Sequence, residues 1–310
     1  MAAPAHSAPP SGPCPQLSGE ALLLWRRQQL DLGGEATALD WLLDLEGGID
    51  WQQLQQLRLN PNSTVSLRAP LERLQALWQR HCGQHDPLQY LVGQCPWRDL
   101  TLKVEPGVLI PRQETELLVD LALELWQQHG GGRGPRRWAD LGTGSGCLAV
   151  ALARAWPHSQ GNAVDQSPEA LRQAGGNLQA HGCADAVTLL QGDWWQPLQS
   201  QWGELELVVS NPPYIPRDVW QGLDPVVRDH EPALALLGGD DGLEALRAIA
   251  ARARQALAPG GWLLLEHHHD QSDAVAALLK GAGLVQVSAY PDLEGKRRFA
   301  SARAPEQAWA

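Results

Sequence analysis

Two segments of the chain carry residue types and spacings that could do chemistry. The first is Asp140-Leu141-Gly142-Thr143-Gly144-Ser145-Gly146. Glycine at every second position lets the main chain pass close to a ligand and turns amide N–H groups toward it. Where a dinucleotide fingerprint would carry its third glycine this chain has Cys147, so that motif fails. An acid followed by Gly-x-Gly-x-Gly suits instead a nucleoside that bears an amino acid. Asp165, at the end of the next apolar run, can accept hydrogen bonds from both hydroxyls of a ribose. The pattern is the one expected for S-adenosylmethionine, with Gly142, Thr143, Gly144, Ser145, Gly146 and Asp165 as its contacts. Asp193-Trp194 follows a further strand-like run, where an acid can accept from an adenine amino group and an indole can lie against the ring. Trp194 therefore joins the cofactor set. The competing readings are a capping acid for Asp165 and, in a chain with 14 Trp, a merely packed indole for Trp194.

The second segment is Asn211-Pro212-Pro213-Tyr214, which follows the run Leu205-Glu206-Leu207-Val208-Val209-Ser210. Two prolines cannot continue a central strand, so the tetrapeptide leaves a sheet at its carboxyl edge. A conjugated NH2 group is a poor nucleophile because its lone pair is delocalised. An enzyme that methylates it must hold both N–H bonds so that the lone pair faces the methyl donor. The Asn211 side-chain oxygen and the Pro212 carbonyl can accept those two hydrogens, and Tyr214 can stack on the planar group. This gives Asn211, Pro212 and Tyr214 as catalytic residues and Asn211 to Tyr214, with Pro213, as the acceptor site; Asn211 also borders the cofactor. A sulfonium is already an activated leaving group, so the chemistry calls for no metal and no protein nucleophile. The run His267-His268-His269 is not expected to hold a metal, because adjacent side chains on extended backbone point alternately. Arg112, Glu114 and Glu116 read equally as substrate contacts or as an exposed charge network.

The elements needed to position these residues follow from the pattern. Strand-like runs at 138–141, 162–164, 187–190, 205–210 and 262–265 alternate with helical runs at 114–128, 147–155, 167–180, 242–257 and 272–281. Ser167 is the expected N-cap of the third helix, with Pro168 in its first turn. Alternation of this kind implies an α/β, Rossmann-like, doubly wound sheet with its site at the carboxyl ends of the strands. Ahead of it lie helical patterns through Leu22, Leu23 and Trp25, through Leu39, Trp41, Leu42 and Leu45, and over 70–81. Between them, Gln89-Tyr90-Leu91-Val92 and 100–104 read as the two strands of a hairpin around a turn containing Pro96. The organisation expected is a disordered tail at 1–17, a helical domain at 18–86, a β-hairpin linker at 87–111, a methyltransferase domain at 112–303 and a tail at 304–310.

Composition narrows the class further. The chain has 310 residues, of which 44% are hydrophobic and 19% charged, enough apolar material for a large and a small globular domain. Its 24 Lys and Arg against 35 Asp and Glu give a net charge of −11, which argues against a direct nucleic-acid partner. Five scattered cysteines without Cys-x-x-Cys argue against a disulfide framework or a cysteine-rich zinc site. No secretory signal core and no stretch approaching a membrane span is evident, so a cytoplasmic location away from membranes is expected.

Taken in order, these residues resemble the HemK/PrmC family, the N5-glutamine methyltransferases that modify peptide chain release factors. The resemblance covers about 18–303. It rests on Pro87-Leu88-Gln89-Tyr90-Leu91-Val92-Gly93, on Val108-Leu109-Ile110-Pro111-Arg112-Gln113-Glu114-Thr115-Glu116, on the two site motifs, on Glu231-Pro232 with 236–243, on 259–266 and on 292–297. It departs from the usual pattern at Asp99, Gln113 and His268. The resemblance implies a seven-stranded class I methyltransferase sheet behind a small helical domain, and methyl transfer to the glutamine of the Gly-Gly-Gln loop of bacterial-type release factors. A monomer is expected. Related activities that share the Asn-Pro-Pro-Tyr geometry are methylation of a ribosomal-protein glutamine and of adenine or guanine in nucleic acid.

Overall fold

The computed structural model describes residues 15–130 and 133–306. The chain divides into two compact units. One consists of the described residues up to Gln94 together with Pro225–His230; the other of Cys95–Asp224 and the described residues from Glu231 onward.

In the first unit, β1 (Gln16–Ser18) pairs antiparallel with β2 (Thr64–Ser66) beside α1 (Gly19–Asp31), α2 (Ala36–Leu42), α3 (Trp51–Leu59), α4 (Leu71–Gln84) and α5 (Leu88–Val92). Ser18 Oγ caps α1 by accepting from Ala21 N, and Asp50 and Gln53 close a reciprocal capping box on α3. Leu22, Leu39, Leu42, Leu54, Leu74 and Trp78 interlock in a fully buried core. Two expectations change here. Of the tail expected at 1–17, residues 1–14 lie outside the described residues, whereas Gln16 and Leu17 form a strand, because Leu17 is an apolar anchor packed on that core. Gln89–Val92 is helical rather than extended. Pro87 opens a single helical turn and Gly93, at φ +77°, closes it, so the apolar run is bounded by helix signals on both sides.

From Cys95 the second unit opens with the hairpin β3 (Gln94–Trp97, its first residue counted with the first unit) and β4 (Leu100–Lys103), whose turn is Arg98-Asp99; Pro96 lies within β3, exposed, instead of in the turn. Then follow α6 (Glu116–His129), β5 (Arg137–Leu141), α7 (Cys147–Ala155), β6 (Gln160–Asp165), α8 (Pro168–Ala180), β7 (Val187–Gln191), β8 (Leu205–Ser210), α9 (Arg217–Trp220), α10 (Pro225–Arg228, in the first unit), α11 (Glu244–Ala256), β9 (Leu257–Glu266), α12 (Ser272–Gly281), β10 (Val285–Pro291) and β11 (Arg297–Arg303). Ser167 and Pro168 begin α8 as expected. The seven strands are ordered β10-β11-β9-β8-β5-β6-β7. β5 to β9 are mutually parallel, and β11 runs antiparallel to both β9 and β10. This is the α/β, Rossmann-like class I methyltransferase sheet.

Both faces of the sheet are covered. Trp138, Leu207, Val209 and Leu264 enter one core, while Ala139, Leu141, Val208 and Leu263 enter the other, which is why these strands are apolar without alternation. The chain winds outward from β5 through β6 and β7 and then returns to β8, so the order reverses at β5 and leaves a crevice above its carboxyl end. Of the tail expected at 304–310, Ala304 is buried and its N–H donates to Gly261 O at 2.8 Å; residues 307–310 lie outside the described residues.

Candidate active site

The glycine turn links β5 to α7 at that crevice. Gly142 N and Thr143 N donate to Val164 O at 2.8 and 2.9 Å, Gly144 N to Asp165 Oδ2 at 2.9 Å, and Gly146 N to Thr143 O at 2.8 Å. The sequence expectation that the turn's amides point at a ligand thus fails for these four, because so tight a turn folds back onto the end of β6, where three of them find acceptors, while Gly146 N is taken up within the turn. What the turn offers a ligand is space. Gly142 has φ +76°, and a Cβ on it would stand 3.2 Å from the Trp194 ring; Gly146 has φ +81°, and a Cβ would stand 3.0 Å from Ala174 Cα. Neither position accepts a side chain without strain.

Asp165 ends β6 with Oδ1 accepting from Ser167 N and Oδ2 from Gly144 N, both at 2.9 Å. Each oxygen keeps a further lone pair. Burial holds its carboxyl above the usual carboxylate range. Asp140 is fully buried beneath the turn; Oδ2 accepts from Thr143 Oγ1 at 2.6 Å and Oδ1 has no hydrogen-bond partner among the described residues. Burial, reinforced by the charge of Asp165, pushes its carboxyl up to about 7.

Gly142, Gly144, Asp165, Trp194, Asn211 and Pro213 face one open cleft, whose remaining wall includes Val108, Leu109, Pro232 and Leu234. Thr143 and Ser145 border an adjoining recess together with Thr115 and Asn211. Gly146 lies behind the turn against α8, Pro212 is buried, and Tyr214 turns its hydroxyl away to Glu266.

The acceptor motif leaves β8 and is pinned from several sides. Ile215 bridges to Leu237, with Ile215 N donating to Leu236 O at 2.9 Å and Gly238 N to Ile215 O at 2.9 Å. Gln271 Nε2 donates to Tyr214 O at 3.0 Å and Gly242 O at 3.1 Å. Asn211 Nδ2 donates to Thr115 Oγ1 at 2.8 Å, Thr115 Oγ1 donates to Glu266 Oε2 at 2.7 Å, and Tyr214 Oη donates to Glu266 Oε1 at 3.2 Å. Glu266 is 1% exposed and ends β9, and its burial pushes the carboxyl up to about 7 even though both hydroxyl donors favour the charged form.

Thr115, Glu231, Glu266 and Gln271 carried no role in the sequence reading. An acid closing the wholly apolar run Leu263-Leu264-Leu265-Glu266 was the available signal, since strand ends in such sheets face the site. Arg112, which borders the same recess as Thr115, pairs with buried Glu231 at 2.7 Å, and that carboxylate also accepts from Ile110 N at 3.1 Å. Glu116 accepts from Arg98 N at 2.9 Å. Among the described residues no cluster of three or more His, Cys, Asp or Glu is arranged to hold a metal ion, and the buried His267 directs Nδ1 to His268 O.

A family model described as "Methyltransferase small domain" matches residues 115–220, from Thr115 to the helix after the acceptor motif. The chain is 51% identical over 288 residues to a release factor glutamine methyltransferase of Prochlorococcus marinus, covering 93% of this chain and 98% of that protein. It belongs to the release factor glutamine methyltransferase family. A second member, from Synechocystis sp., is 38% identical over 296 residues, with 93% and 97% of the two chains covered. Among solved structures, the hMettl16 catalytic domain in complex with a 3'UTR hairpin matches with a TM-score of 0.52 at 14% identity, over 76% of this chain and 81% of that one, a likeness of fold.

Proposed function

We propose that the chain transfers the methyl group of S-adenosylmethionine to the side-chain amide nitrogen, N5, of the glutamine in the Gly-Gly-Gln motif of bacterial-type peptide chain release factors. The observation that carries this reading is that Asn211, the head of the acceptor motif, lines the same cleft as Gly142, Asp165 and Trp194. The cleft fits the cofactor: Gly142 leaves the room beside Trp194 that a Cβ would fill, and Asp165 keeps acceptor capacity at the end of β6. Bound there, S-adenosylmethionine supplies a methyl group already activated by the sulfonium charge.

The residues then divide the work. The turn from Gly142 to Gly146, with Thr143, Gly144 and Ser145, shapes the floor for the amino-acid end of the cofactor; Asp165 accepts from the ribose hydroxyls, and Trp194 lies along the base. Asn211 Oδ1 and Pro212 O accept the two hydrogens of the glutamine amide, which directs the nitrogen lone pair at the methyl group and stabilises the charge that grows on nitrogen. Pro213 and Tyr214 fix the path of the chain and keep water from the acceptor. A Gly-Gly-Gln loop offers little to grip, so the helical region at 18–86 contributes a second contact with the release factor. The enzyme acts as a monomer in the cytoplasm, without direct nucleic-acid contact. Among the described residues no helix is long and apolar enough to cross a membrane.

The test is transfer of radiolabelled methyl from S-adenosylmethionine to a purified release factor, a ribosomal protein and duplex DNA, side by side. Label on the release factor is the expected result. Label on the ribosomal protein or DNA, with none on the release factor, would overturn the proposal.

A further inference from the structure

Thr115 stands at the N-cap of α6, just before Glu116, where a threonine ordinarily turns its hydroxyl back to cap the helix. It makes no such cap: its hydroxyl goes to Glu266 and Asn211 instead. A hydroxyl has a single proton. That of Thr115 is given to Glu266 Oε2, so toward Asn211 the oxygen can only accept. The neighbour of an acceptor must be a donor, and the Asn211 carboxamide is therefore held with Nδ2 toward Thr115. Its Oδ1 is left for the cleft, and among the described residues no donor reaches it.

We propose that Thr115 and Glu266 are positioning residues that fix the polarity of the Asn211 carboxamide, so that the cleft meets its oxygen rather than its NH2 group. The inference rests on the functional reading above, in which that oxygen receives an N–H of the acceptor amide. A carboxamide is nearly symmetric in shape, and rotation by half a turn would exchange acceptor for donor. A donor facing the glutamine NH2 would repel it. In its ionised form Glu266 sets the direction of the whole chain of bonds, because a carboxylate only accepts. It takes Thr115 on one oxygen and Tyr214 on the other, and so ties both ends of the acceptor motif to the end of β9. No Lys or Arg pairs with Glu266 among the described residues, which leaves its oxygens to the two hydroxyls; Arg298 instead pairs with Asp292 at 2.7 Å.

The experiment compares wild type, Thr115→Val, Thr115→Ser and Glu266→Gln in the full-length protein. Steady-state methyl transfer to release factor is measured together with calorimetry of S-adenosylmethionine and the 15N-resolved side-chain NH2 signals of Asn211. Valine keeps the shape of threonine and removes the oxygen. Thr115→Val should lower kcat by about tenfold or more, the scale for loss of an interaction that counts in the transition state, with KM and cofactor affinity changed by about threefold or less. Glu266→Gln should lower kcat in the same direction, and Thr115→Ser should stay near wild type. In the spectrum, the hydrogen-bonded Asn211 NH2 signal should persist in Thr115→Ser and be lost or shifted in Thr115→Val. A Thr115→Val enzyme with wild-type kcat and an unmoved Asn211 signal would overturn the inference, as would equal damage from valine and serine. If wild type transfers no methyl to release factor, the functional reading fails, and the Asn211 signals alone still decide whether Thr115 fixes the amide.

Discussion

The cofactor turn and the acceptor motif sit in one cleft and are held in different ways. Gly144 is fixed by Asp165, 21 residues along the chain, and the turn closes on itself through Gly146 N and Thr143 O. Asn211 is fixed by Thr115, 96 residues away, and Tyr214 by Glu266, 52 residues away. The turn is thus a product of backbone geometry within one strand-helix-strand unit. The acceptor motif is held by side chains that meet only when α6, β8 and β9 are all in place. Damage to the turn should therefore show as lost cofactor binding or stability, and damage to the motif as lost turnover.

The sharpest break between the two comes from Asn211→Ala. Its contacts strengthen as charge develops on the acceptor, so turnover should fall on the order of 100-fold while cofactor affinity changes far less. Steady-state kinetics paired with calorimetry checks this; equal losses in both would erase the distinction. Asp165→Ala should do the reverse, weakening S-adenosylmethionine by about 1.5–3 kcal/mol, as for lost hydrogen bonds to a charged group. It also frees Gly144 N and Ser167 N, so circular dichroism must show a folded protein before the affinity is read.

Gly146→Ala tests the turn as backbone geometry. A side chain at φ +81° costs about 1–2 kcal/mol, and the added Cβ would press on Ala174, so calorimetric melting should drop by several degrees. The smallest expected effect is in the pH dependence of stability without cofactor. Asp140 and Glu266 are both raised to about 7, so the folded protein keeps protons that the unfolded chain releases near pH 4. Their contribution is complete below that pH and is lost as pH rises toward 7. Asp140→Asn and Glu266→Gln should each flatten the stability curve across that window in urea titrations.

The same contrast decides what could be read from the chain. The turn was legible because its parts are close in sequence: Gly142 to Gly146 and Asp165 fall at the ends of two successive strands, and Asn211-Pro212-Pro213-Tyr214 announces its own exit from the sheet. The sheet elements were legible through uninterrupted apolar runs such as Leu207-Val208-Val209, although 285–291 and 297–303, with mixed and partly exposed patterns, were not recognised as strands. The Thr115 and Glu266 network was not legible, because nothing local marks a threonine at a helix start as the partner of an asparagine 96 residues on. The misread Gln89–Val92 shows the limit of an apolar run shorter than a helix, where flanking Pro87 and Gly93 hold more information than the run itself.

Mass spectrometry of a release factor after incubation with the chain and S-adenosylmethionine tests the central claim most directly. The account predicts one added methyl group, located by fragmentation on the side-chain amide of the glutamine in Gly-Gly-Gln, and almost none when Asn211→Ala replaces wild type. A methyl group on another residue, or an unmodified release factor beside a wild-type chain that binds S-adenosylmethionine, would contradict it.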